Sequence, residues 1–407
     1  MQTIEPQRTS ARRRRPRPLR QALASLLMSA SVTLAAGTVA AAGTGTEPEP
    51  TPAGLGPHVL EGEGRSVSRA RFLMGTTLSI EAMGVDAGPA IEAAFGEVER
   101  LDQVLSNWHD SELVRLNDRA ATAPVACSTD LFHAVSVALK WARQTDGSFD
   151  PTVEPLVRRL GLRGDDGRLP PRSEEAGGLA GGSLAGGDRP SPVPGEAGAL
   201  ERVGWRHVHL DPATRQVRFD APGVGLDLGG IGKGMALDAA CAVLRARGIG
   251  AALLNFGGQV VTFGPGPDDG RWRVGLSDPQ DRSRFVETLD LRDASLATSG
   301  QGERGIVTDG RRVGHILDPR SGAPAAFAGT VSVLAPTATI ADALDTALFV
   351  MGPDRGRQWA ATHGLDTVFL VRDPDGRLIR HGTGSLLHAA SSGTLPQPAH
   401  RRSTSCR

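Results

Sequence analysis

Residues 225–248 read GLDLGGIGKGMALDAACAVLRARG. The apolar run VGLDL at 224–228 has the length of a buried strand and ends in Gly229-Gly230. A helical pattern follows at 235–247, with Ala236, Ala240, Val243 and Leu244 as its apolar stripe and Gly248 as a natural C-cap. A strand feeding a glycine-lysine loop and then a helix N-terminus suits an anion. Glycines let backbone N–H groups approach it, Lys233 supplies a point charge, and the helix adds its dipole. Two common phosphate motifs fail here. A Walker loop needs Gly and Ser/Thr where Asp227 and Gly234 stand, and a dinucleotide fingerprint starting at Gly230 needs Gly at Met235. Taken alone, the stretch reads equally well as a tight strand-to-helix turn with an exposed lysine.

Outward from this loop the pattern is strand-rich. HVHL (207–210) and QVRF (216–219) precede it, and GAALLNFGGQVVTFG (250–264) reads as two strands around a Gly257-Gly258 hairpin. Further strands are expected near 271–276, 285–291 and 328–334, helices over 340–351 and 353–363, and a last strand at TVFLVRD (367–373). Upstream, residues 77–81 alternate like a strand. Helices are expected over 86–105, with Ile91, Ala94 and Val98 on one face, and over 129–144. Runs of strands with occasional helices predict an α+β fold, with mixed, largely antiparallel sheets and packed helices rather than regular βαβ winding.

The chain has 407 residues, with 45 basic and 45 acidic side chains, which gives no electrostatic case for nucleic-acid binding. Its three cysteines, Cys127, Cys241 and Cys406, lack zinc-site spacing, and Cys241 falls inside a helical pattern as a small core residue. Residues 12–20, RRRRPRPLR, are strongly basic, 21–46 carry no charge, and TVAAAG offers small residues for signal peptidase. Residues 1–42 are accordingly read as an export signal, with the twin-arginine and general secretory routes both open. An uncleaved membrane anchor is the rival reading, disfavoured by weak hydrophobicity. The Pro/Gly/Glu-rich 43–66 is expected to be a disordered linker, 67–387 the folded domain with a flexible insertion at 164–200, and 388–407 a disordered tail.

Three other stretches carry candidate chemistry. In TATIADALDTALFVMG, Asp342 and Thr346 share a helix face and Asp345 flanks them. Carboxylate and hydroxyl oxygens suit Mg²⁺, although acids near a helix start also serve simply to compensate its dipole. In 297–322, Thr298-Ser299-Gly300 could form a hydroxyl-lined turn, and His315 and Asp318 bracket a short strand. His315 is either an acid–base group or structural. TDGSFDPTVEPL (145–156) is an irregular loop centred on Phe149 and Asp150, and Trp108 is either core or a stacking platform.

Taken together and in order, MGTTLSIE, LSNWHDSELVRLN, TDGSFDPTVEPLV, LDLGGIGKGMALD, LNFGGQVVTFG, TSGQGER, GHILDPRSGAP and ADALDTALFVMG resemble the ApbE family of FAD:protein FMN transferases across roughly 68–380. The resemblance implies an ApbE-like (T-fold-like) architecture. It also implies Mg²⁺-dependent transfer of the FMN moiety of FAD to a threonine hydroxyl of an acceptor flavoprotein subunit or flavin-carrying domain, with AMP released, outside the cytoplasmic membrane. Carried over, the metal site falls on the Gly230 carbonyl, Asp342, Asp345 and Thr346. The FAD contacts fall on Met74, Trp108, Ser148, Phe149, Asp150, Asp227, Lys233, His315 and Ile316. His315 and Asp345 are the candidates for the base that takes the threonine proton. The pattern departs from the family at Trp108, commonly Tyr, at Leu160-Gly161, commonly Trp-Gly, and after Thr298-Ser299-Gly300, where Gln-Gly-Glu follows. These changes touch flavin packing more than phosphate chemistry. A flavin-holding protein without transfer, and an FAD pyrophosphatase in which water replaces threonine, remain the alternatives; sequence leaves the oligomeric state open.

Overall fold

The computed structural model describes residues 66–162, 196–267, 269–301, 305–308 and 311–387. The expected export signal, almost all of the linker, most of the insertion and the C-terminal tail lie outside the described residues.

An eight-stranded sheet organises the chain, in the order β1 (Ser66–Leu73), β2 (Thr76–Met83), β6 (Ala251–Phe256), β7 (Gln259–Phe263), β10 (Ala294–Gly300), β13 (Gly329–Ala335), β14 (Asp366–Arg372), β15 (Leu378–Thr383). Each neighbouring pair runs antiparallel. Strand periodicity sends alternate side chains to opposite faces. Ala252, Leu254 and Phe256 of β6 enter the main core, while Ala251 and Leu253 enter a second cluster. The second cluster is closed by a two-stranded hairpin, β8 (Trp272–Ser277) and β9 (Phe285–Leu291), which contributes Trp272, Val274, Leu276, Leu289 and Leu291.

The main core is filled by helices: α1 (Ala87–Leu105), α2 (Glu112–Arg119), α3 (Thr129–Gln144), α6 (Gly232–Ala246) and α7 (Ala338–His363). Ile91, Ala94, Phe95 and Val98 line α1, and Ala236, Leu237, Ala240 and Leu244 line α6, as helical spacing requires. Two short helices, α4 (Glu154–Arg159) and α5 (Glu196–Leu200), flank the undescribed segment. A small sheet, β3 (Val125–Ala126), β5 (Gln216–Phe219) and β4 (Val208–Asp211), and the hairpin of β11 (Gly305–Thr308) and β12 (Arg311–Gly314) complete the described strands.

Several expectations hold in place, including the Gly257-Gly258 hairpin, whose residues sit at φ +62° and +97° in the hand that a two-residue turn needs. Others are corrected. VGLDL is not a strand. The Leu226 amide donates to Asn117 Oδ1 at 2.8 Å, its carbonyl accepts from Asn107 and Asn117 Nδ2 at 2.9 Å each, and the Asp227 amide donates to the Pro151 carbonyl at 2.7 Å. Side chains and a loop thus take the bonds a ladder would have made. Thr298-Ser299-Gly300 is not a turn but the end of β10, with Thr298 Oγ1 2.8 Å from Ser332 Oγ on β13. Among the described residues the first element is β1, and β10, β15, α2, and α5 at the end of the expected insertion were not anticipated. The two helices expected over 340–351 and 353–363 are borne out: α7 is broken between them at Gly352, at φ +74° and ψ 174°, just before Pro353.

Candidate functional site

Helix α6 begins at Gly232, so Lys233 stands in its first turn, and its cap residue Ile231 offers no side-chain acceptor. That acceptor comes from 108 residues away: the Gly234 amide donates to Asp342 Oδ2 at 2.9 Å. Lys233 Nζ donates to Asp342 Oδ1, also at 2.9 Å. The glycine-lysine loop and the acidic helix, separate in sequence, therefore meet. Gly234 permits the approach. A Cβ built there would fall 2.5 Å from the Ala338 carbonyl oxygen and 2.7 Å from Thr339 Cα.

Asp342 and Asp345 are both buried. Thr346 Oγ1 donates to Asp345 Oδ1 at 3.3 Å. A Cβ on Gly230 would stand 3.3 Å from Thr346 Oγ1 and 3.1 Å from Phe149 Cε2, so the loop backbone lies directly against both. Asp227 braces the loop by accepting from the Gly229 amide at 2.7 Å. Among the described residues no group of three or more His, Cys, Asp or Glu side chains gathers into a metal cage. The donor set is instead two buried carboxylates, a hydroxyl and a glycine loop, all oxygen. That is the chemistry a small hard cation such as Mg²⁺ prefers, and the residues present fit it.

The 145–156 loop closes the other side. Asp150 Oδ1 accepts from the Thr152 amide at 2.9 Å and the Thr152 hydroxyl at 2.6 Å, and Oδ2 accepts from the Trp205 amide at 2.9 Å. Burial pushes its carboxyl above the ordinary range, and these bonds pull against that shift. Asp150 thus shapes the loop. Beside it, Ser148 Oγ is buried with no hydrogen-bond partner among the described residues, and Phe149 is buried in the main core. Asn107 and Asn117, by holding Leu226, hold half-buried Trp108 next to the segment that carries Asp227.

The structure thus joins Phe149, Gly230 and Thr346, joins Lys233 to Asp342, and joins Asp227 to the 150–152 loop through Pro151. Met74 stands apart from these contacts, at φ +45° in the β1–β2 turn. Ile316 is a core residue, bonded through its amide to Gln301 Oε1 at 3.3 Å, and His315 precedes it half-buried. Sequence reading missed Asp238, whose Oδ1 accepts from the Ala338 amide at 2.8 Å, and whose Oδ2 accepts from the Thr339 amide at 2.9 Å and the Thr339 hydroxyl at 2.6 Å. It also missed Gln259, whose Nε2 donates to the Ala338 carbonyl at 2.8 Å. Asp238 lies within the opening stretch, but nothing in its spacing announces a partner 100 residues away.

The profile of the ApbE family matches residues 74–369. The FAD:protein FMN transferase of Klebsiella pneumoniae (strain 342) is 31% identical over 312 residues, 74% of this chain and 83% of that protein. That of Treponema pallidum (strain Nichols) is 31% identical over 333 residues, 76% and 85%. Among solved structures, the flavin transferase ApbE from Vibrio cholerae superposes with a TM-score of 0.65 at 27% identity, covering 79% of this chain and 98% of that one. The ApbE protein from Thermotoga maritima does so at 0.63 and 28%, covering 78% and 97%.

Proposed function

The chain belongs to the ApbE family, and from that premise we propose that it transfers the FMN moiety of FAD to an acceptor protein, with AMP as the leaving group. The observation that carries this reading is the contact of Lys233 and Gly234, in the first turn of α6, with the Asp342 carboxylate of α7.

In the finer reading, the acceptor is a threonine hydroxyl of a flavoprotein subunit or flavin-carrying domain. Its oxygen attacks the phosphorus of the FMN half. A new P–O bond forms, the bond to the AMP phosphate breaks, and the threonine proton passes to a protein base. His315 is the first candidate for that base and Asp345 the second. Asp342, Asp345, Thr346 and the Gly230 carbonyl would hold a Mg²⁺, which would supply charge neutralisation at the diphosphate. Lys233 adds positive charge at the same place, and the first-turn amides of α6 add their partial charge. Half-buried Trp108 offers an aromatic face for the flavin, core-buried Phe149 backs the Gly230 loop, and the Ser148 hydroxyl beside it, unpartnered among the described residues, has a donor and acceptor to give to FAD. Phosphoryl transfer depends mostly on such positioning and electrostatics.

Export is part of the proposal. The arginine-rich 12–20 followed by uncharged 21–46 supports secretion to the outer face of the cytoplasmic membrane, where the protein would meet its acceptor. Among the described residues no helix is long and apolar enough to cross a membrane.

The test is incubation of the purified protein with FAD, Mg²⁺ and a flavin-acceptor candidate from the same cell, followed by in-gel flavin fluorescence and mass spectrometry. Transfer should add FMN to one threonine, require Mg²⁺ and be abolished by Asp342→Asn. Release of free FMN with no labelled acceptor would favour the pyrophosphatase reading, and intact FAD in every mixture would overturn both.

A further inference from the structure

We propose that Asp238 is a positioning residue that fixes where the donor set of α7 stands relative to the Lys233 loop. The inference rests on the metal-dependent reading above. It starts from a reciprocity between two helices. The first-turn amide of Gly234 on α6 is satisfied by Asp342 of α7, and the first-turn amides of Ala338 and Thr339 on α7 are satisfied by Asp238 of α6. Neither helix start is self-sufficient in charge. Ile231 caps α6 with no side-chain bond, and the first turn of α7 holds no acidic residue. Each helix borrows a carboxylate from the other, and the unfavourable open N–H groups at both starts are removed only when the two are in register.

The register is tight. Ala338 is held at its amide by Asp238 Oδ1 at 2.8 Å and at its carbonyl by Gln259 Nε2 at 2.8 Å. The same carbonyl packs against Gly234, with no room for a Cβ between them. Asp342 lies one helical turn beyond Ala338. A slide of a single residue along α7, about 1.5 Å, would carry Asp342, Asp345 and Thr346 off the loop. Thr337 already caps α7, accepting from the Ile340 amide at 3.3 Å, so helix formation alone does not call for Asp238. A further half-buried carboxylate beside a site for a diphosphate is electrostatically unfavourable, and what it supplies is the attachment of α7 to α6.

The experiment measures metal binding directly, by Mn²⁺ electron paramagnetic resonance on the purified protein, beside the Mg²⁺ dependence of FMN transfer and thermal unfolding. Asp238→Asn replaces one acceptor oxygen with a donor that faces an N–H. It should weaken Mn²⁺ binding and raise the Mg²⁺ needed for half-maximal transfer by about tenfold or more, the scale seen when a group that orients metal ligands is lost. Thr337→Ala removes the cap of α7 without touching the bridge to α6. It should lower the melting temperature while leaving both metal constants within about twofold of the parent. Parental Mn²⁺ affinity in Asp238→Asn, or equal weakening in Thr337→Ala, would overturn the proposal. If Asp238→Asn does not fold, Gln259→Ala, which loosens the same anchor, should weaken Mn²⁺ in the same direction, and unchanged affinity there overturns it. Failure of the parent protein to bind Mn²⁺ at all would instead strike the metal-dependent reading.

Discussion

Gly234 shows how much a single position can carry. Its missing side chain lets α6 and α7 meet, and its amide holds Asp342. Gly234→Ala should therefore destabilise by overpacking, on the order of 1–3 kcal/mol, and should also cut FMN transfer, checked by urea unfolding alongside flavin fluorescence of the acceptor. The cysteines behave oppositely. Burial pushes the Cys241 thiol up to about 12 and the Cys127 thiol up to about 11, in the second case with help from Glu112. Since the thiolate is the reactive form, both should resist iodoacetamide at pH 8 in the native protein and react once it is unfolded, as peptide mass spectrometry would show.

Among the elements, α7 is the one in which sequence and function are most tightly interleaved. Its N-terminal part carries Asp342, Asp345 and Thr346, and its direction changes at Gly352-Pro353. Gly352 adopts a backbone conformation open almost only to glycine, so Gly352→Ala should cost about 1–3 kcal/mol in denaturant unfolding. Because the break lies beyond the donor set, the Mg²⁺ concentration for half-maximal transfer should stay at the parental value. Elements with strong periodicity were legible in advance. The apolar stripes of α1 and α6 and the Gly-Gly turn of the β6–β7 hairpin all lie where their spacing put them. The VGLDL segment was not, because an apolar run states that a segment is buried without stating what takes its backbone bonds. Here Asn107, Asn117 and Pro151 take them.

In the whole molecule, the eight-stranded sheet separates the helical core and its site from the β8–β9 hairpin. Ion pairs tie that hairpin region back to the sheet: Arg372 to Asp278, and Arg380 Nε to Glu287 Oε2 at 2.6 Å. Burial raises the Asp278 carboxyl, but the Gln280 amide and Arg372 outweigh it and hold the group below its ordinary value. A depressed folded-state value means that this stability is present above the unfolded-state pKa and is lost as pH falls through the folded one. Thermal unfolding followed from pH 7 downward should show a loss below about pH 4. Arg372→Met, which strands the buried Asp278 carboxylate, should lower stability at pH 7 by about 3–5 kcal/mol and flatten that acid limb.

By itself the sequence determined the α+β class, most helices and strands, and which segments carry hard-oxygen and anion-binding chemistry, because periodicity, glycine placement and side-chain type are local properties of the chain. Only the tertiary structure decided that Lys233 faces Asp342, that Gly230 lies against Phe149 and Thr346, and that Asp238 and Gln259 anchor the start of α7. Those pairings span about a hundred residues or more in most cases, and no local pattern records which distant groups will share one buried volume. That is settled when the antiparallel sheet brings its helices together and most buried polar groups find partners across the chain.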